Sequence, residues 1–134
     1  MDKGIERKVR RRARGRCEYC RLPESVSELP HWIDHIVPQQ HEGPDDLSNL
    51  ALCCARCNRH KGPNLAGLDP TTGKIVRLFH PRNDRWAEHF KWDGALLVGL
   101  GPIGRVTVKV LAINLPLRVP ARRALIESGD FRPT

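Results

Sequence analysis

Two cysteine pairs, Cys17-x2-Cys20 and Cys54-x2-Cys57, stand 33 residues apart in this chain. Thiolates are soft ligands, and two such knuckles supply the four sulfurs that a tetrahedral zinc takes. Four protein ligands leave no open coordination position, so this ion would hold the fold and do no chemistry. Cys53 is a spare sulfur. It could replace Cys54, but the x2 spacing to Cys57 favours Cys54, and Cys53 then reads as a small buried apolar residue. Between the knuckles lies Asp34-His35-Ile36-Val37-Pro38. Hydrolysis of a phosphodiester needs an activated water, a Lewis acid on the phosphate and a stabilised leaving alkoxide. An imidazole has an intrinsic pKa near neutrality, which suits His35 to the role of general base. On a strand, the side chains of Asp34 and His35 point to opposite faces. If the strand twists at its end, one can face the attacking water while the other holds metal.

The elements that must position these groups can be read from periodicity. Ile5, Val9 and Ala13 recur at helical spacing and predict a helix over 4–14, ended by Gly15. Residues 32–37 alternate as a strand that Pro38 stops, and Asn49 to Leu52 reads as a second short strand. Cys54 to Lys61 should turn into a helix closed by Gly62-Pro63. Beyond this, 69–73 reads as a turn, 75–79 and 95–100 as strands, and Trp86 and Phe90 as neighbours on a short helical stretch. Gly101-Pro102 opens a helix through Ile113, and a last helix runs over Val119–Ser128 with Gly129 after it.

Charge points to a polyanionic partner. The net charge is +8, and residues 1–16 contribute +6 of it: Lys3, Arg7, Lys8, Arg10, Arg11, Arg12, Arg14 and Arg16 stand against Asp2 and Glu6. Such a block suits nucleic acid first and an anionic membrane surface second; the plain alternative is a solvated helix face. The chain begins charged, with no apolar signal stretch, and no run approaches the roughly 20 apolar residues of a membrane span. The expected compartment is therefore the cytoplasm, where paired CxxC motifs bind metal more often than they form disulfides. Aromatic content is 5%, and 11 Gly and 11 Pro make the chain rich in loops, so a metal staple is welcome.

Asp34-His35-Ile36-Val37-Pro38, Gly43, Asn49-Leu50 and Cys54-x2-Cys57-Asn58-x2-Lys61-Gly62 together resemble the HNH endonucleases, over residues 5–63. The resemblance implies an α+β fold: a small ββα-metal finger core with a structural zinc on its two CxxC knuckles. A basic helix precedes the core and an α+β extension packs after it. The domains expected are 1–68 for the core with its basic helix and 69–134 for the extension, joined as one globular unit. The resemblance assigns His35 as general base and Asp34 as a metal ligand. The residue after the last cysteine gives the second ligand; it is commonly His in the family and is Asn58 here. Two oxygen ligands favour a hard cation, Mg²⁺ or Mn²⁺. Asn49 is the family's middle residue, whose amide would pin the loop and keep His35 oriented.

The remaining polar residues carry competing readings. His60 is a rival ligand, but it lies two residues from Asn58 and so on another helix face. His31 and His41 border the site and read as loop residues or phosphate contacts. Lys61 and Arg10, Arg11, Arg12, Arg14 and Arg16 are candidates for the nucleic-acid backbone. Arg82, Arg85, Trp86, His89, Phe90 and Trp92 mix basic and aromatic groups; base stacking is one reading, and packing of the extension onto the core by Trp86 and Phe90 the favoured one. The functional expectation is a metal-dependent nuclease acting on DNA. The alternative is a zinc-ribbon-like nucleic-acid-binding module without catalysis, and a protein-interaction zinc module is a distant third. One site nicks one strand, so double-strand cutting would call for a homodimer or two encounters.

Overall fold

Asp2 starts the first helix, its carboxylate accepting the Gly4 amide. The computed structural model describes residues 1–134, an α+β chain with three separate two-stranded sheets. The chain divides into two units, Met1–Asn64 with His80–Asn83, and Leu65–Phe79 with Asp84–Thr134. Asp69 and the turn after it therefore lie inside the second unit.

In the first unit, helix α1 spans Lys3–Ala13. Its apolar stripe works as the spacing predicts: Val9 is fully buried against Leu50 and Leu52, with Ile5, Ala13, Ile33 and Leu47 around them. The helix ends through two left-handed residues, Arg14 as well as Gly15, whose amides close on the carbonyls of Arg11 and Arg10.

Strand β1 (Trp32–His35) pairs antiparallel with β2 (Leu50–Cys53), with Asp34 opposite Ala51 and His35 opposite Leu50. The first strand is two residues shorter than its sequence pattern suggests. After His35 the amide of Ile36 still reaches the Asn49 carbonyl, but that of Val37 is taken by the Asn49 side chain, and the ladder stops. Leu47–Asn49 forms a single 3-10 turn into β2. Helix α2 spans Ala55–Lys61, with Cys54 as its N-cap: the Cys54 sulfur accepts the Cys57 amide at 3.4 Å.

The second unit holds β3 (Ala66–Leu68) paired with β4 (Ile75–Arg77), and β5 (Phe90–Asp93) paired with β6 (Leu96–Gly99). Between the two hairpins lies α3 (Trp86–His89); after them come α4 (Pro102–Val110) and α5 (Arg118–Glu127). Phe90 opens a strand rather than continuing the helical turn, because the backbone is already extended there. Helix α4 stops short of Ile113, where Ala112 turns left-handed. Buried Arg118 and Arg122 then serve the carbonyls that the stop leaves open, Arg118 donating to Leu111 and Ala112 and Arg122 to Ile113; Arg122 also donates to Ala95 in the turn between β5 and β6. Trp86 and Phe90, expected to fasten the extension to the core, have ring partners within their own unit: each other at 5.2 Å between centroids, Trp92 and Phe79. No helix is long and apolar enough to cross a membrane.

Candidate functional site

The sulfurs of Cys17, Cys20, Cys54 and Cys57 are all buried and lie within 4.8 Å of one another. Zn–S bonds of roughly 2.3 Å at tetrahedral angles place sulfurs about 3.8 Å apart. The Cys20 and Cys54 sulfurs are 3.7 Å apart. The cluster thus fits a structural zinc. Burial pushes the Cys17 and Cys57 thiols well above their ordinary range, a cost that a divalent cation reverses by taking them as thiolates. Cys53 sits on β2, fully buried and outside the cluster, and burial raises its thiol to about 11. The clamp carries its own support. Glu18, inside the first knuckle, accepts the Leu52 amide at 2.9 Å and is paired with Arg82.

Asp34 faces inward from β1 and is 6% exposed. One oxygen accepts the Tyr19 hydroxyl at 2.8 Å and the other the Lys61 ammonium at 3.2 Å. Burial pushes the Asp34 carboxyl up, opposed by the nearby Lys61 charge and the Tyr19 hydrogen bond. Lys61, a candidate phosphate contact on sequence grounds, is instead 1% exposed; its ammonium also reaches the His35 carbonyl at 3.1 Å. Neither Tyr19 nor the inward turn of Lys61 was visible in the sequence. Only the i, i+3 spacing of Asn58 and Lys61, which puts both on one face of α2, hinted that they share surroundings. Asn58 is half-buried there, and so is His60 on its own side of the helix.

Asn49 is buried and uses its whole amide. Its Oδ1 accepts the Val37 amide at 2.8 Å, and its Nδ2 donates to the carbonyls of Val37 at 3.0 Å and Pro44 at 2.9 Å. The loop after His35 is thereby clipped back to the strand that carries it. Gly43 belongs to this clip: a Cβ there would collide with the Val37 carbonyl and lie 2.9 Å from the Asn49 Nδ2. His35 ends β1 half-buried, and its Nε2 meets the Asp45 carboxylate at 2.6 Å. Asp45 carried no sequence signal, being one of three acids in the polar loop, with Glu42 and Asp46.

The other candidates divide. His31 is buried, with Nε2 on the Leu22 carbonyl at 2.8 Å, and His41 is exposed with Nε2 3.1 Å from the Pro63 carbonyl. Arg10 pairs with Glu24 at 3.3 Å and donates to the His31 carbonyl. Arg12 donates to the carbonyls of Leu47 and Leu50, tying α1 to the start of β2. Arg11 and Arg14 are exposed beside Lys3 and Arg7, and Arg16 is half-buried.

With this geometry in hand, comparison with known families is decisive for one stretch. Residues 17–64 match the model of the HNH endonuclease family. The HNH domain begins at the first zinc-site cysteine and closes just past Gly62-Pro63, taking in β1, the clipped loop, β2 and α2. It covers a little over a third of the chain, with α1 before it and the whole second unit outside it. No curated protein and no solved structure matches the chain. HNH domains are typically nuclease domains that bind nucleic acid, so a nuclease-type function is the coarse conclusion.

Two outcomes are expected from the metal clamp and the buried pair. The purified protein should carry about one zinc, and Cys57→Ser should unfold the HNH domain, because structural zinc contributes roughly 10–16 kcal/mol in small domains against a usual net stability of about 5–15 kcal/mol. Metal analysis of folded protein and the melting of the variant check this. Lys61→Met should destabilise the fold by about 3–5 kcal/mol by leaving Asp34 buried without its cation. Adding Asp34→Leu should recover most of that loss, which urea titration of the double-mutant cycle measures.

Proposed function

We propose that the chain is a metal-dependent HNH endonuclease that hydrolyses phosphodiester bonds in DNA, with His35 as general base. The observation that carries the reading is the placement of His35 at the end of β1, inside the family match, with a carboxylate on either side of the strand end: Asp34 facing α2, Asp45 on the imidazole. One divalent cation, Mg²⁺ or Mn²⁺, would be held by Asp34 and Asn58. The donor set suits it. Both residues offer oxygen, the ligand of hard cations. The Asp34 carboxylate has about four lone-pair sites, of which Tyr19 and Lys61 occupy two.

When bound, the cation supplies Lewis acidity to the phosphate and to the leaving oxygen. The chain does the rest. His35 takes a proton from water as the water oxygen bonds to phosphorus, and the leaving oxygen departs with the electrons of the broken P–O bond and is protonated from solvent. Asn49 keeps the loop beside His35 in one shape. Lys61 and Tyr19 fix the carboxylate of Asp34 in orientation. The exposed cations of α1 and its C-cap, Lys3, Arg7, Lys8, Arg11 and Arg14, suit the nucleic-acid backbone, while Arg10 and Arg12 serve the fold.

The competing reading is a zinc module that binds nucleic acid without cutting it. The carboxylates favour the enzyme, since acids beside a phosphate weaken binding unless a cation lies between. Replacing His35 with Ala should lower plasmid nicking about 10²–10⁴-fold in Mg²⁺ or Mn²⁺ and leave DNA affinity nearly unchanged. Nicking at the wild-type rate would remove His35 from the mechanism; a wild-type protein that never nicks would leave the binding module. For the partner, Arg7, Arg11 and Arg14 changed together to Ala should weaken binding to unrelated DNA sequences by similar factors. The slope of log affinity against log salt should become shallower by up to about 0.9 per lost contact. Arg12→Ala should lower the melting temperature instead, and binding titrations at several salt concentrations separate the two kinds of arginine.

A further inference from the structure

The nuclease reading notes Asp45 beside the imidazole of His35 and gives it no role of its own. We propose that Asp45 is a positioning residue for His35: its carboxylate holds the imidazole with the proton on Nε2 and leaves Nδ1 to accept the proton of the attacking water. The catalytic half of this statement rests on the nuclease reading above; the tautomer half stands by itself.

The geometry comes first. His35 Nε2 and Asp45 Oδ1 are 2.6 Å apart. An ionised carboxylate can only accept, so Nε2 must be the donor and carry the hydrogen. In a neutral imidazole the other nitrogen is then the lone-pair nitrogen. A general base needs that lone pair in a fixed direction, and a ring held by one short hydrogen bond has it.

The loop is built to hold that contact. Asn49 Nδ2 donates to Val37, two residues after His35, and to Pro44, the residue before Asp45. One amide thus ties together the two chain segments that carry the ring and the carboxylate. Gly43 lets the segments come this close. Gln39 Nε2 lies 3.4 Å from the same Asp45 oxygen and steadies it from the other side.

Exposure separates this role from a structural one. The Asp45 side chain is 70% exposed, and that of His35 is 17% exposed. The exposed carboxylate fills no core position, so its loss should cost the fold little. Its charge is also wrong for a DNA contact, because it repels phosphate. The group this acid touches is the base, not the DNA backbone.

The test uses the full-length, zinc-loaded chain. The first readout is the ¹⁵N spectrum of the His35 ring at pH about 8, where an ordinary imidazole is neutral. Wild type should show a protonated Nε2 and a lone-pair Nδ1; Asp45→Ala should lose that bias, and Asp45→Glu should recover part of it. The second readout is the single-turnover cleavage rate at saturating DNA and saturating Mg²⁺. Asp45→Ala should fall about 10–100-fold, with DNA affinity unchanged or tighter, and Asp45→Glu should lie between. A proton found on Nδ1 in wild type would overturn the proposal, as would an Asp45→Ala variant with wild-type rate and spectrum. An Asp45→Ala defect that shows only below saturating Mg²⁺ and vanishes at saturation would overturn it too, by making Asp45 a metal contact. If wild type does not cut DNA at all, the nuclease reading falls, and the ring spectrum alone still decides whether Asp45 holds His35.

Discussion

The sulfurs of Cys17 and Cys20 meet those of Cys54 and Cys57 from the two ends of the HNH domain, and everything between is arranged by that meeting. Residues 21–53 form the span that is closed. It contains both strands of the finger, yet the described apolar cluster beside those strands is small, with Val9, Leu50 and Leu52 at its centre. So thin a core does little to offset the entropy of closing a loop-rich segment. Four thiolates on one zinc would supply the missing cohesion, and the cluster that fits it sits at the N-terminus of α2. The clamp therefore sets where α2 starts, and hence where Asn58 and Lys61 lie relative to β1.

Within that frame, polar side chains do the work that a longer sheet would do elsewhere. Asn49 replaces ladder partners for Val37, Arg12 takes up the carbonyls of Leu47 and Leu50, and Glu18 takes the Leu52 amide. Each backbone group in a short sheet still needs a partner. Meeting that need with side chains lets the strands stop early and frees the loop after His35 to fold back across the strand end. The second unit uses the same device in another place, where Arg118 and Arg122 serve the carbonyls around the end of α4.

The pair of Lys61 and Asp34 is a buried charge arrangement at the end of β1. Removing two charges from water costs several kcal/mol per ion, and their attraction offsets this only with good geometry and further hydrogen bonds. Tyr19 and the His35 carbonyl supply those bonds. The ammonium also links the metal-ligand candidate to the backbone of the general-base candidate. A displacement of α2 would therefore reach both groups through one side chain.

Residue type and spacing alone carried the four-sulfur clamp, the stripe of Ile5, Val9 and Ala13, the strand around Asp34-His35, and the family resemblance. These are local signals: ligand chemistry and periodicity are written in consecutive residues. Pairing was not legible where it depended on approach in space. The strand at 66–68 is short and shows no alternation of its own, and it exists because Ile75–Arg77 returns beside it. Phe90 has helical spacing from Trp86 but pairs as a strand with Gly99. Lys61 and Arg12 look like any surface cation in sequence; only the position of Asp34 turns Lys61 inward, and only those of Leu47 and Leu50 give Arg12 its backbone partners. Asp45 stands ten residues from His35 in a polar loop, with no periodic relation to it. Its contact with the imidazole exists only because the Asn49 amide, the room at Gly43 and the early end of β1 fold that loop back on the strand.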